Sequence, residues 1–369
     1  MTFNPGLNRV TIADFDGLPD GMAGSLAHEW LATWSIAPKL RAELDMRDLP
    51  GGPAVRKRDI ARLCLKRLPR QFLGRRHTPG PSHLLRECVQ AVHAEKMQVC
   101  SLYPRALNAR LERGDWQDAA FAEDLGMALA AVVATLNLAP PESRAARPEW
   151  PDAHWERWRR VNDIILGGGV LSGLLGQQLF STAREWLPRL GAADVRLHLF
   201  PQPRQLMLHG AARQYREGPV VVLDAGHTAV KWAWAEVLGG EVMALQPAPL
   251  LPTPYGISDG RRLLRFLLET LIETVPADQQ ARQFALSLSA HLDERGRIAA
   301  ASAASSFYGS LAGIVLEDAL REGLSSRLGN ACRVKVIHEG QAAVHGLPDM
   351  DAAILLGTSV GGAFNARRT

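Results

Sequence analysis

Asp224, Gly226 and Thr228 fall within Val220–Ala235, where an apolar, β-branched run ends in a turn and a second strand-like run begins. A carboxylate can hold a hydrated cation, a glycine lets a ligand approach the main chain, and a threonine offers a hydroxyl beside its amide. The group suits the phosphates of a nucleotide bound with magnesium, Asp224 organising the metal; His227 and Lys231 share the stretch. A second strand–turn–strand lies at Asp351–Phe364, where Gly357, Thr358 and Ser359 precede Gly361 and Gly362. Phosphate oxygens could lie against backbone amides there. A short strand-like run from Val334 ends in His338, Glu339 and Gly340, and a carboxylate at a strand end facing a cleft is where α/β enzymes commonly keep a base. Gly167, Gly168 and Gly169 close the run Asp163–Leu166, and such glycines let a flat nucleoside pack on the main chain.

These residues need strands and helices to carry them. Apolar residues at 174, 175, 179, 180, 183 and 187 predict a helix over Leu174–Leu187, after Ser172. A helix is also expected at Arg261–Val275, and strands near Phe284 and Val334. Ala139–Trp158 carries four prolines and mixed charge, which predicts a surface loop anchored by Trp150, Trp155 and Trp158. Asp278–Gln283 reads as a polar loop. Nine Lys/Arg residues against the single acid Asp59 over Arg56–Arg76 predict a basic amphipathic helix broken by Pro69. Its readings are a solvated face, or a surface for an acidic partner, a phosphorylated substrate or nucleic acid, the last weakened by the lack of interleaved aromatics.

Taken together, the glycine-bearing segments resemble the phosphate-1, phosphate-2, adenosine and catalytic motifs of the actin-like ATPase superfamily, and in detail the ROK group of sugar kinases and repressors. Leu238–Pro254, around Val242, is similar to the strand after phosphate-1, Ala285–Gly296 to a later strand and turn, Gly114–Leu138 to the helix that precedes the adenosine motif, and Asp194–Ala212 to the stretch that normally closes these proteins. Ala23–His28 resembles the substrate segment that usually follows phosphate-2. The motif order differs from the family's: the adenosine-like glycines precede Asp224, and the phosphate-2-like turn comes near the end. The chain therefore reads as a circular permutation, cut after the phosphate-2 hairpin. Termini that lie close together at a surface make this tolerable.

The resemblance implies an α/β, two-lobed actin-like (ribonuclease H-like) fold with a nucleotide cleft between lobes. The smaller lobe is expected over 213–337, and the larger over 1–212 plus 338–369. It implies ATP and magnesium as cofactors, with Asp224 at the metal. Gly226, His227, Thr228, Lys231, Gly357, Thr358, Ser359 and Gly167–Gly169 would contact nucleotide. Glu339 takes the position of a catalytic Asp, with one more methylene of reach and an unperturbed pKa expected. His338, Ser25 and His28 would contact substrate, although His338 and Ser25 replace the family's Asn and Glu, and His227 replaces a glycine. The family's zinc-binding cysteine cluster is absent, so no zinc is expected. The activity implied is ATP-dependent phosphoryl transfer to a sugar, cyclitol or similar small polyol. A catalytically degenerate regulatory protein binding nucleotide or sugar, and an ATP hydrolase, are the alternatives. A homodimer is compatible with all three.

Bulk properties agree. The chain has 369 residues, 47% hydrophobic and 22% charged, with a net charge of +4. That is enough for two cores and too little charge to point to nucleic acid. Four cysteines, at 64, 88, 100 and 332, show neither metal nor disulfide spacing. The polar start and the interrupted apolar run near Leu125–Pro140 give no secretory signal or membrane span. A cytoplasmic setting is expected.

Overall fold

Two sheets account for the ten strands found among the described residues. The computed structural model describes residues 6–33, 35–36, 92, 102–114, 116–248, 250–255, 257, 259–276, 280–299 and 307–365. The expected basic helix at 56–76, and Cys64, Cys88 and Cys100, lie outside these residues.

The first sheet joins β1 (Asp163–Gly167), β2 (Arg196–Leu199), β9 (Ala352–Leu356) and β10 (Val360–Phe364), in the order β10-β9-β1-β2. The second joins β3 (Gly218–Ala225), β4 (Ala229–Leu238), β5 (Glu241–Pro247), β7 (Gln283–Leu288) and β8 (Arg333–His338), in the order β5-β4-β3-β7-β8, with β6 (Leu251–Pro252) paired to β4. One plan recurs. In each sheet an antiparallel hairpin, β9–β10 or β3–β4, gives its first strand to parallel neighbours. Those first strands are buried on both faces, and so read as continuous apolar runs in the sequence.

Each sheet has its own core. Helix Trp116–Leu138 packs against helix Gly173–Arg189 over the first sheet. The window Ala119–Leu138 has the length and apolarity of a membrane span, but 72% of it is buried inside the fold, so it is a core helix. Helices Gly260–Glu273 and Leu316–Leu328 cover one face of the second sheet. Its other face meets helix Leu206–Ala212, which also packs on helix Glu339–Val344. At this crossing a Cβ on Gly210 would stand 1.6 Å from the Ala342 carbonyl oxygen, so only glycine fits.

The stretch 139–158 is not the loop its prolines predict. Helices Pro141–Ala146 and Asp152–Arg159 form, with Pro140 and Pro151 as their N-cap residues. A proline just before or at the first turn forfeits no helical hydrogen bond. Trp150, Trp155 and Trp158 are buried as core. Arg147 lies flat on the Trp150 ring at 3.8 Å and donates to the Gly6 carbonyl at 2.8 Å, which ties in the N-terminal segment.

That segment reaches the last hairpin. The Asn8 side chain accepts from the Val360 amide at 2.7 Å, and the Thr33 amide donates to the Gly357 carbonyl at 2.6 Å. His338, expected with the larger lobe, ends β8 of the second sheet.

Candidate active site between the two sheets

The β3–β4 turn carries Gly226, His227 and Thr228; the β9–β10 turn carries Gly357, Thr358 and Ser359. Both turns line one cleft of about 300 Å³. Asp224, Lys231, Glu339, Gly168 and Gly169 line it too. Residues from both ends and the middle of the sequence thus share one cavity.

The β3–β4 turn is held by hydroxyl groups behind it. The Gly226 carbonyl accepts from Thr253 Oγ1 at 2.8 Å and from the Tyr308 hydroxyl at 3.1 Å, and the His227 carbonyl accepts from the Tyr255 hydroxyl at 2.5 Å. In a trans peptide the following N–H points opposite to the carbonyl. The amides of His227 and Thr228 are therefore turned away from those hydroxyls. Amides arrayed this way form an anion-binding concavity.

Asp224 is 1% exposed, and it is already engaged. Lys231, its cross-strand partner, donates to Oδ2, and Ser287 Oγ donates to Oδ1 at 3.2 Å. No group of three His, Cys, Asp or Glu side chains that could hold a metal occurs among the described residues. Asp224 lines the cleft as a single carboxylate paired to Lys231, so a magnesium ion there would take most of its ligands from water and from the phosphates of a bound nucleotide. Lys231 lines the cleft with its ammonium paired to Asp224.

Glu339 opens helix Glu339–Val344 at the cleft. Loss of solvent pushes its pKa up to about 7; the neighbouring Asp224 carboxylate adds to the rise, and Lys231 opposes it. The unperturbed value expected from sequence is thus replaced by one suited to a general base near neutral pH.

The triple glycine divides in role. Gly167 ends β1, and a Cβ there would strike Leu206 at 2.4 Å, so its smallness serves packing; it does not line the cleft. Gly168 has φ +104°, leaves no room for a Cβ beside the Leu356 carbonyl, and donates its amide to Pro203 O at 2.9 Å. Gly169 alone of the three has open space beside it.

The expected substrate residues sit elsewhere. Ser25 Oγ donates to Met22 O at 2.6 Å and accepts from Trp30 Nε1 at 2.9 Å, while His28 Nδ1 lies 2.6 Å from Asn8 O. Neither lines the cleft. His338 Nδ1 accepts from the Gly340 amide at 3.1 Å, capping the helix that Glu339 begins. Its ring stacks on His291 at 4.0 Å and lines a second cavity, of about 490 Å³, with His154, Arg157, Trp158 and Phe364. Burial, then the charges of His291 and His227, hold the His338 pKa down to about 3, so the ring is neutral.

Sequence reasoning missed other cleft residues: Thr33, Arg105, Arg204, Met207 and Leu250–Pro252. The only cue was the Thr253-Pro254 pair after the phosphate-1-like strand, which marks the hydroxyl clamp. A scan against protein-family models finds no match for the chain, and a search of curated proteins finds none either.

Proposed function

We propose that this protein is an ATP-dependent kinase that phosphorylates a hydroxyl of a small polyhydroxylated molecule, on an actin-like fold with circularly permuted strand order. One observation carries the reading: two hairpin tips, the Gly168–Gly169 turn and a carboxylate with pKa near 7 share a single cleft. The repeated hairpin-plus-parallel plan of the two sheets, and the Asn8–Val360 bond joining the N-terminal segment to the last hairpin, support the permuted fold.

In this reading Gly169 packs on the nucleoside, and the turns at 226–228 and 357–359 hold phosphate oxygens from opposite sides. Magnesium bound with the nucleotide would neutralise charge on the phosphates beside Asp224. The acceptor hydroxyl lies against Glu339, which takes its proton as the hydroxyl oxygen bonds to the terminal phosphorus. The bond from that phosphorus to the bridging oxygen breaks, and ADP leaves with the electron pair. Positioning and electrostatics do most of this work. The acceptor would lie in the cleft that Glu339 lines; His338 faces the separate cavity with His291 and is not placed against it. A reducing, cytoplasmic setting belongs to the same reading.

A nucleotide-binding regulatory protein is the second reading, favoured by the closed Asp224–Lys231 pair. Incubation with labelled ATP–magnesium and a panel of sugars and cyclitols separates the two. Transfer that Glu339→Gln abolishes supports the kinase. Tight ATP binding with neither transfer nor hydrolysis supports the regulator, and phosphate release without acceptor points to a hydrolase.

A further inference from the structure

Arg105 and Arg204 line the same cleft, and the nucleotide contacts considered above leave both unused. Each is held in place by its backbone. Arg204 lies in the turn Pro203–Gln205, which the Gly168 amide grips through Pro203 O at 2.9 Å. Arg105 lies in helix Tyr103–Leu111, which Asn108 pins to the start of helix Gly173–Arg189. Asn108 Nδ2 donates to Ser172 O at 2.9 Å, and its Oδ1 accepts from the Leu175 amide at 2.9 Å.

Both arginines line the one cleft, and the Arg204 guanidinium feels the positive charge of Arg105. Burial lowers the Arg204 pKa, and the positive charge of Arg105 lowers it further. Among the described residues neither forms an ion pair with a carboxylate. The acids of the cleft are occupied elsewhere: Asp224 pairs with Lys231, and the charges felt by Glu339 are those of Asp224 and Lys231. Two like charges in a part-buried cleft repel, and an entering anion relieves that repulsion. A guanidinium offers a planar fork of donors that matches phosphate oxygens two at a time.

We propose that Arg105 and Arg204 form a clamp for the non-reacting phosphates of a polyphosphate chain, on the Gly168–Gly169 side of the cleft. This deepens the kinase reading and rests on it only for the identity of the chain as a nucleotide. The clamp, not Lys231, is then the protein's main source of positive charge for the bound phosphates.

Calorimetric titration of the full chain with inorganic tripolyphosphate, ATP and adenosine tests the clamp, using wild type, R105Q, R204Q and R204K. Wild type should bind tripolyphosphate, and each Gln variant should weaken it about 10-fold or more, the scale of a lost charge-assisted hydrogen bond. Adenosine affinity and Tm should hold, and R204K should recover part of the loss. Added salt should weaken wild type more than the variants. Absence of tripolyphosphate binding in wild type, unchanged binding in both Gln variants, or equal loss of adenosine and tripolyphosphate would each overturn the clamp. Tripolyphosphate binding through the arginines without ATP binding would keep the clamp and remove the nucleotide reading. Phosphoryl transfer unaltered in both Gln variants would do the reverse.

Discussion

Asp224 and Lys231 face each other across the β3–β4 ladder, and the lysine ammonium donates to a carboxylate that is 1% exposed. The pair fixes the base of the hairpin whose tip lines the cleft. Its removal should therefore be felt in both stability and ligand binding.

Lys231→Met leaves the Asp224 charge buried beside Ser287 only. A loss of about 2–3 kcal/mol is expected, somewhat below the cost of breaking a fully buried pair because the lysine side chain is 20% exposed. The double variant Asp224→Asn/Lys231→Met should be less damaged than Lys231→Met alone. Urea unfolding of wild type, Asp224→Asn, Lys231→Met and the double variant checks this, and additive losses would refute coupling.

Glu339 sets the pH dependence. With a pKa near 7 it is protonated in mild acid and accepts a proton only above that point, so turnover should rise through pH 7. Stability runs the other way. A carboxyl whose pKa is raised on folding favours the native state below its unfolded value, and that contribution is lost as pH climbs through 7. Glu339→Gln should therefore be inactive yet more stable than wild type at pH 8, by on the order of 3 kcal/mol. Rate profiles and melting curves from pH 5 to 8.5 measure both.

His154 and His338 are held neutral, with pKa values down to about 4 and about 3, chiefly by burial. Histidines depressed in this way support the fold above their unfolded pKa, and the support drains away as pH falls from about 6.5. Tm should drop over pH 6.5 to 4. His338→Asn keeps an acceptor for the Gly340 amide and should make the drop shallower. An identical acid profile in the variant would show that His338 is not involved.

Gly210→Ala forces a methyl group onto the Ala342 carbonyl. Overpacking of this kind costs about 1–3 kcal/mol, and here the helix pushed aside is the one that Glu339 begins. Activity should fall further than stability alone explains. Turnover measured well below Tm, beside urea unfolding, separates the two effects.

Local pattern alone revealed the strands Val220–Leu223 and Ala352–Leu356, the glycine turns that follow them, and the helix after Ser172. Each of these is written in a short window: buried strands as unbroken apolar runs, turns as glycine beside hydroxyl residues, helices as an apolar stripe.

Other properties depend on distant partners that no window contains. The prolines of 139–158 signal a turn or a helix start equally well, and burial of Trp155 and Trp158 against the first sheet decides for helix. Gly167 reads as a ligand surface until Leu206 is seen against it. The pKa of Glu339 comes from exclusion of water and from Asp224, and the meeting of Arg105 and Arg204 at one cleft comes from packing between separate segments. The sequence by itself determined which elements form, because hydrogen bonding and apolar periodicity act over a few residues. Only the tertiary structure decided which charges meet and which lose their solvent, because electrostatics and desolvation depend on neighbours in space.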